Sequence, residues 1–352
     1  MAKFRIISRV FTLFAALCAT GCMEYGPGEE EDFDLGSGVF VTCEGQFSYG
    51  QASLSYYDPA QKRVENGVFA RANAMSLGDV AQSMTIHNGK GYVVVNNSKI
   101  IFVIDPDTFK VLGTIEGLVS PRYIHFVSGA KAYVTDLYDP RITIVDPRTL
   151  EITGRIEVEG HTSTERMVQW GQYVFVNCWS YDNTVLVVNT ATDEVVDEID
   201  VGIQPVAMAI DCHGKLWVLT DGGYDGSPYG HEAPTLYRID AATRRIEQQF
   251  RFRLGDAPRG LCLNGAGDTL YLINGGVWAM DVTAERFPVQ ALVADSGTIL
   301  YGLGVDPASG EIYVADAIDY QQPGVVYRYS AAGELMDEFY VGITPGGFCF
   351  KQ

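Results

Sequence analysis

The chain has 352 residues, a formal net charge of −19, 47% hydrophobic residues and 12% aromatic residues. This composition excludes a disordered chain, and the acidity argues against binding DNA, RNA or an anionic membrane surface through a basic patch. The 38 glycines also argue against a coiled coil or a helical bundle. The length fits either two ordinary domains or one large all-β or α/β domain.

The first twenty-one residues have the pattern of a bacterial lipoprotein signal. Three basic residues precede an apolar run over 10–19 that is too short to span a bilayer. Ala19-Thr20-Gly21 then lead into Cys22, which is expected to carry the lipid. An ordinary secretory signal followed by a chance cysteine is the alternative. Removing residues 1–21 takes away three positive charges and no negative ones, so the net charge falls from −19 to −22.

Residues 22–36 are predicted to form an acidic, flexible tether. The segment is rich in Gly, Pro, Glu and Asp, and such a composition cannot bury enough apolar surface to fold. An acidic stretch just after a lipidated cysteine also resembles the surface-export signal of Bacteroidetes lipoproteins. A solvated spacer is the simpler interpretation, and both can hold together.

Five cysteines follow the tether, at positions 43, 178, 212, 262 and 349. None form a C-x-x-C pair, and no Cys/His spacing suits a zinc site. An odd number in an exported protein leaves at least one thiol free. Most of the five are predicted to be structural, because buried cysteine packs as a small hydrophobic residue.

One phrase recurs through the rest of the chain: an apolar residue, then Asp-Pro or a relative, then a polar turn. Its copies are centred on Asp58, Asp105, Asp146, Asn189, Asp240, Asp281 and Ser330. The spacings are 47, 41, 43, 51, 41 and 49 residues, which is the period of a four-stranded β-propeller blade. Seven copies predict an all-β, seven-bladed β-propeller over residues 37–352.

Each unit divides into four predicted strands, a to d, separated by Gly, Asp, Asn and Pro. Strand b is expected at 39–42, 92–95, 132–135, 174–177, 216–219, 270–273 and 312–315. Strand a is expected at 84–87, 123–127, 167–170, 207–210, 260–263 and 302–305. The recurring phrase ends strand c, and its Asp or Asn is expected to cap the c–d turn.

The first unit lacks a strand a on its N-terminal side. Gly342–Phe350 matches the segment that begins at Gly202, so 347–350 is predicted to supply that strand and close the ring. Closure leaves no open edge in the circle of blades. A TIM barrel of similar size would need eight helical segments, and the pieces between the predicted strands are too short and too polar.

The b–c and d–a loops of such a propeller lie on one face around the central channel, where binding is expected. Aromatic, amide and charged side chains recur there; aromatics give contact area at low entropic cost, and amides give adaptable hydrogen bonds. The b–c candidates are Gln46, Phe47, Tyr49, Asn97, Asp136, Tyr138, Trp179, Tyr181, Asp221, Tyr224, Tyr229, Asn274, Asp316 and Tyr320. The d–a candidates are Gln82, Arg122, Arg166, Arg259 and Tyr301.

The three d–a arginines occupy equivalent positions just before strand a. They suit a phosphate or carboxylate on a ligand. The alternative is pairing between blades with a nearby carboxylate such as Asp136 or Asp316. Two of the three are expected to be paired in this way.

Catalytic patterns are weak. The sequence has no G-x-S-x-G elbow and no H-E-x-x-H motif, so no catalytic residue and no metal site is predicted. The sharpest enzymatic alternative is a calcium-dependent lactonase-type propeller, with Glu44, Asn97, Asn274 and Asp316 as oxygen ligands. A structural surface-layer or protein-interaction propeller is a further alternative.

Several stretches resemble a known family. They are 78–84, Val95-Asn96-Asn97-Ser98, 120–126, Val176-Asn177-Cys178-Trp179-Ser180-Tyr181, 220–230, 313–330 and 342–350. Together they resemble the YncE-like surface propellers of Bacteroidetes, most closely the BtuG-type cobalamin-binding lipoproteins, over about residues 37 to 351. The resemblance implies an outer-membrane, cell-surface lipoprotein that captures vitamin B12 and related corrinoids as transported ligands. It also implies a TonB-dependent outer-membrane barrel of the BtuB type as partner, and no catalysis.

Overall fold

The structure is a computed structural model that describes Phe33 and residues 35–352. The predicted signal, Cys22 and most of the predicted tether lie outside the described residues. Over the described part, the chain forms twenty-seven strands and one short α-helix, α1 (Val68–Asn73). Within that part, no helix is long and apolar enough to cross a membrane.

The strands form seven antiparallel sheets over the described residues, and these are the predicted blades. Blade 1 contains β1 (Gly38–Cys43), β2 (Ser53–Asp58) and β3 (Arg63–Glu65) together with the last strand, β27 (Pro345–Lys351). Blade 2 contains β4 (Ala81–His87), β5 (Lys90–Val95), β6 (Ile100–Ile104) and β7 (Val111–Ile115). Blade 3 contains β8 (Pro121–Ser128), β9 (Lys131–Asp136), β10 (Arg141–Asp146) and β11 (Glu151–Glu157).

The remaining blades follow in chain order. Blade 4 contains β12 (Met167–Trp170), β13 (Tyr173–Asn177), β14 (Thr184–Asn189) and β15 (Glu194–Asp200). Blade 5 contains β16 (Pro205–Ile210), β17 (Lys215–Thr220), β18 (Thr235–Asp240) and β19 (Ile246–Arg251). Blade 6 contains β20 (Arg259–Leu263), β21 (Thr269–Asn274) and β22 (Gly276–Asp281). Blade 7 contains β23 (Leu300–Val305), β24 (Ile312–Asp316), β25 (Pro323–Tyr329) and β26 (Leu335–Ile343).

The two ends of the propeller meet in blade 1, as predicted. β1 pairs antiparallel with β27, which places Val39 opposite Phe350 and Val41 opposite Phe348. The C-terminal strand is therefore strand a of the first blade, and the ring is closed by main-chain hydrogen bonds.

Blade 6 departs from the prediction of four strands in every unit. It has three strands in the described structure, and the fourth is reduced to an isolated bridge between Val277 and Val293. The connecting segment contains Pro288, which has no N–H to donate to a sheet. The short helix α1 was also not predicted; its Val68 and Phe69 are fully buried.

The core is divided into seven apolar clusters over the described residues, one between each pair of neighbouring blades. The alternation of a β-strand produces this arrangement. In β5, Val93 and Val95 pack towards blade 1, whereas Tyr92 and Val94 pack towards blade 3. Burial of each such side chain contributes about 1.5–3 kcal/mol to the stability of the fold. Neighbouring blades are therefore held together mainly by apolar contacts between their faces.

The polar residue that ends strand c caps the following turn, as predicted. Asp58 Oδ1 accepts the N–H groups of Ala60 and Gln61 at 2.8 and 3.0 Å, and Asp240 Oδ1 accepts that of Thr243 at 2.7 Å. The same bond is formed by Asp105, Asp146, Asn189, Asp281 and Ser330. A local side-chain bond thus repeats in all seven units.

The packed region begins before residue 37, the predicted boundary. Phe33 is 8% exposed and meets the ring of Phe109 edge-on at 4.9 Å. Leu35 packs against the same cluster, and the Gly36 N–H donates to Asp58 at 3.1 Å. Phe33, Leu35 and Gly36 of the predicted tether thus contact the first two blades in the described structure.

Candidate functional site

Two adjoining cavities open among the loops at one end of the channel. The outer cavity has a volume of about 460 Å³ and is lined mainly by b–c loops; the inner cavity, of about 590 Å³, extends along the channel beside the a strands. Both are lined by Glu44, Gln82, Arg122, Trp179 and Tyr301. We call the end that carries both cavities the channel face.

Twelve of the predicted site residues line these cavities. The outer cavity adds Gln46, Phe47, Asn97, Tyr138 and Tyr320, and the inner cavity adds Arg166, Asp221 and Arg259 to the shared Gln82, Arg122, Trp179 and Tyr301. The others, which line neither cavity, are Tyr49, Asp136, Tyr181, Tyr224, Tyr229, Asn274 and Asp316. The structure therefore gathers twelve of the predicted side chains around the two cavities and leaves the other seven outside them.

Large aromatic side chains stand exposed on the same loops. Their exposed fractions range from 39% to 74% for Phe47, Tyr49, Tyr138, Tyr181, Tyr224, Tyr229 and Tyr320. Tyr181 and Tyr229 belong to the loops of neighbouring blades and stack with ring centroids 4.4 Å apart. Exposed apolar surface concentrated in this way is typical of contact surfaces.

A buried ion pair joins two blades at the centre of the site. Arg122 Nε lies 2.7 Å from Glu165 Oε1, and the side chains are 14% and 6% exposed. Glu44 lies close by and accepts a hydrogen bond from the Tyr301 hydroxyl at 3.1 Å. Burial raises the pKa of the carboxyl groups of Glu44 and Glu165, and the charge of Arg122 opposes that shift.

The other two arginines lie over aromatic rings. Arg166 is 4.7 Å from the ring centroid of Tyr123, and Arg259 is 5.7 Å from that of Tyr301. Neither forms an ion pair or a side-chain hydrogen bond with any residue that the structure describes. The expectation that two of the three arginines are ion-paired is therefore wrong: one is, and two guanidinium groups retain their donors.

The expected partners of these arginines have another role. Asp136 is 3% exposed, and its carboxylate accepts the N–H groups of Ser120, Tyr138 and Asp139. Asp316 is 4% exposed and accepts the N–H of Ile318. Both carboxylates are used by the backbone at the end of strand b, which leaves Glu165 as the partner of Arg122.

The four oxygen ligands of the calcium alternative do not meet in one cavity. Glu44 and Asn97 line the outer cavity, whereas Asn274 and Asp316 line neither. Asn97 donates to Asp79 at 2.5 Å, and Asn274 donates to Asp256 at 3.1 Å. Both amide groups are thus hydrogen-bonded to carboxylates through their nitrogen atoms, and two of the four candidate ligands lie outside both cavities.

Sequence reasoning missed several residues of the site. Glu165 and Asp256 are charged groups of the inner cavity, and Tyr123 supplies the ring beneath Arg166. Glu165 immediately precedes Arg166, a predicted site residue, in the same d–a loop. This adjacency is the one feature of the sequence that indicates a role for Glu165. Tyr123 lies on strand β8, outside the loops in which the site was predicted. Its place in the site follows only from the three-dimensional course of the channel.

The fold and the cavities define a seven-bladed β-propeller with a concave face at one end of its channel. The chain belongs to the family described as "Domain of unknown function (DUF5074)", whose model matches residues 37–344. No curated protein matches the chain.

Solved structures share the propeller at low sequence identity. A gluconolactonase from Pseudomonas aeruginosa is 14% identical with a TM-score of 0.68, over 90% of this chain and 99% of that one. A quinoprotein alcohol dehydrogenase-like protein from Bacteroides thetaiotaomicron is 15% identical with a TM-score of 0.67, over 90% and 78%. Hydrazine synthase of Kuenenia stuttgartiensis is 16% identical with a TM-score of 0.62, over 76% and 89%. At these identities the likeness concerns the fold alone.

Proposed function

We propose that the protein binds cobalamin or a related corrinoid on the channel face and delivers it to a TonB-dependent outer-membrane barrel of the BtuB type. The observation that carries this proposal is that exposed aromatic rings, amide groups and two unpaired guanidinium groups surround two adjoining cavities. Pockets of this kind hold large ligands through apolar walls and a few directed polar groups.

The chemistry of a corrinoid fits these groups. Its macrocycle is wide, it bears amide side arms, and it carries a single phosphate. Gln46, Gln82 and Asn97 supply amides that can pair with the side arms. Arg166 and Arg259 line the inner cavity with free donors suited to one phosphate.

The charge balance of the inner cavity favours a ligand with little net charge. Its lining includes Arg122, Arg166 and Arg259 among the cations and Glu44, Glu165, Asp221 and Asp256 among the acids. Burial also raises the pKa of Asp221. A polyanion would meet four acidic groups here, whereas a neutral or zwitterionic molecule would not be repelled.

We also propose that the protein is anchored to the outer membrane through a lipid on Cys22 and faces the cell surface. The signal pattern before Cys22 supports this location. Anchoring would keep the channel face within reach of a transporter in the same membrane. On this account the protein binds its ligand without catalysis, and calcium analysis together with a lactone screen separates it from a calcium-dependent hydrolase.

The proposal is tested by purifying the protein from a medium that contains corrinoid and recording its visible absorption spectrum. Because corrinoids are coloured, we expect a corrinoid band that survives gel filtration with the protein. A variant with Trp179→Ala and Tyr181→Ala, which lacks two aromatic rings of the channel face, should elute with less of the band, whereas Trp170→Ala should retain it. A folded, colourless protein that also fails to take up added cyanocobalamin would contradict the proposal.

A further inference from the structure

A cluster of three potential metal ligands lies beside the channel face. His161 lies in the connection between β11 and β12, and Cys178 and Asp182 lie in the loop between β13 and β14. One ligand atom from each residue lies within 4.8 Å of the other two. His161 Nδ1 is 2.8 Å from Asp182 Oδ2. Their separation in sequence matches no zinc motif, so only the fold brings them together.

The cluster is well shielded. Cys178 is fully buried, and the side chains of His161 and Asp182 are 11% and 13% exposed. A second carboxylate, that of Glu198, lies 3.7 Å from His161 Nε2. The imidazole therefore lies between two carboxylates, of which Asp182 is within hydrogen-bonding distance and Glu198 is beyond it.

We propose that His161, Cys178 and Asp182 bind one Zn²⁺ ion or a similar borderline divalent cation. A nitrogen, a thiolate sulfur and a carboxylate oxygen form a donor set that zinc accepts, whereas calcium and magnesium favour oxygen alone. Three protein ligands leave a fourth tetrahedral position for water. Binding converts the Cys178 thiol to a thiolate, and the displaced proton leaves to solvent.

The site would fasten a loop of the channel face. Trp179 and Tyr181 lie between Cys178 and Asp182 in the sequence. Trp179 lines both cavities, and Tyr181 stacks on Tyr229. A metal that joins both ends of this short loop to His161 holds the two aromatic side chains in place. Without a metal, the same residues would form a His–Asp pair beside a packed thiol.

The test uses the purified protein made without corrinoid, because cobalamin itself contains cobalt. After treatment with a chelator, Co²⁺ and then Zn²⁺ are titrated in. We expect one Co²⁺ per chain and a thiolate-to-cobalt charge-transfer band in the near ultraviolet. Added Zn²⁺ should displace the Co²⁺ and abolish the band. Cys178→Ser should abolish the band, and Asp182→Asn should weaken binding by at least about 10-fold.

Cys212→Ser is the matched control, because Cys212 is an exposed thiol outside the cluster. It should leave the band and the affinity unchanged. A band that persists in Cys178→Ser, or a wild-type protein that binds no more metal than Asp182→Asn, would overturn the proposal. Asp182→Asn decides the matter if Cys178→Ser fails to fold. Since no corrinoid is present, the result does not depend on the proposed function.

Discussion

The Arg122 guanidinium of blade 3 lies 2.7 Å from the Glu165 carboxylate of blade 4, and both side chains are largely buried at the channel. The pair thus joins neighbouring blades at the place where the two cavities meet. A buried charge that loses its partner is costly, whereas an apolar pair of similar size is often tolerated.

Replacing Arg122 by methionine should lower the free energy of unfolding by about 3–5 kcal/mol, because Glu165 remains buried without a counter-charge. The double variant Arg122→Met, Glu165→Leu should recover most of that loss. Urea unfolding of the wild type, both single variants and the double variant gives the coupling energy. A single Arg122→Met variant as stable as the wild type would show that the pair is not buried as described.

Removing residues 347–352 should destabilise the whole propeller, because β1 then loses its hydrogen-bonded neighbour. Phe348 and Phe350 also leave the cluster in which they pack against Tyr313. Thermal unfolding followed by circular dichroism should show a much lower midpoint or no cooperative transition. Removal of Gln352 alone, which lies beyond β27, is the control and should have little effect; equal midpoints for both deletions would contradict ring closure.

Acid should weaken the c–d turns. The Lys215 ammonium and the turn N–H of Thr243 lower the pKa of Asp240 to about 2, and Arg148 lowers that of Asp146 to about 2. In both cases the folded pKa lies below the unfolded value of about 3.9. The folded state therefore binds fewer protons, and this contribution to stability is present above about pH 4 and is lost as the pH falls towards 2.

The variant Asp240→Asn tests this pH dependence. Its loss of stability relative to the wild type should be largest above about pH 4 and should shrink between pH 4 and 2. Urea midpoints measured across this range report the difference. A stability difference between the two proteins that stays constant with pH would mean that the negative charge of Asp240 does not contribute to stability.

Replacing Trp179 and Tyr181 together by alanine should weaken corrinoid binding by on the order of 2–4 kcal/mol, if both rings anchor the ligand. Isothermal titration calorimetry with cyanocobalamin measures the change. Trp170→Ala is the matched control: Trp170 is 36% exposed at the far end of β12 and lines neither cavity. A double variant that binds like the wild type would place the ligand elsewhere.

Cys22→Ala should release the protein from the membrane fraction, since a lipid on that residue is the proposed anchor. Fractionation of cells that express either form, followed by immunoblotting, reports the distribution. Cys212→Ala is the control, because Cys212 lies within the propeller. Retention of Cys22→Ala in the membrane fraction would contradict lipid attachment at this position.

The fold could be predicted from the sequence because the repeat depends on interactions between residues that are close in the chain. Each capping side chain, such as Asp58 or Asp240, bonds to N–H groups two or three residues further along, so the pattern recurs wherever a blade recurs. The closing strand was predictable for the same reason, since 342–350 repeats a phrase found elsewhere in the chain. Blade 6 escaped prediction because its last strand is replaced by a segment that meets the sheet only at Val293.

The site was predictable as a set of loops but not as a set of contacts. Arg122 and Glu165 lie 43 positions apart on different blades, and nothing in their local sequence distinguishes this pairing from one with Asp136. The same holds for His161 and Cys178, whose proximity depends on two adjacent connections. Contacts between blades depend on where the ring places each loop, and periodicity alone does not carry that information.

The central claim is that the channel face binds a corrinoid, and titration calorimetry of the purified protein with cyanocobalamin tests it most directly. The account predicts one binding event per chain with a dissociation constant below the micromolar range, weakened when Arg166 and Arg259 are both replaced by methionine. Absence of binding to a cooperatively folded protein at micromolar concentrations would contradict it.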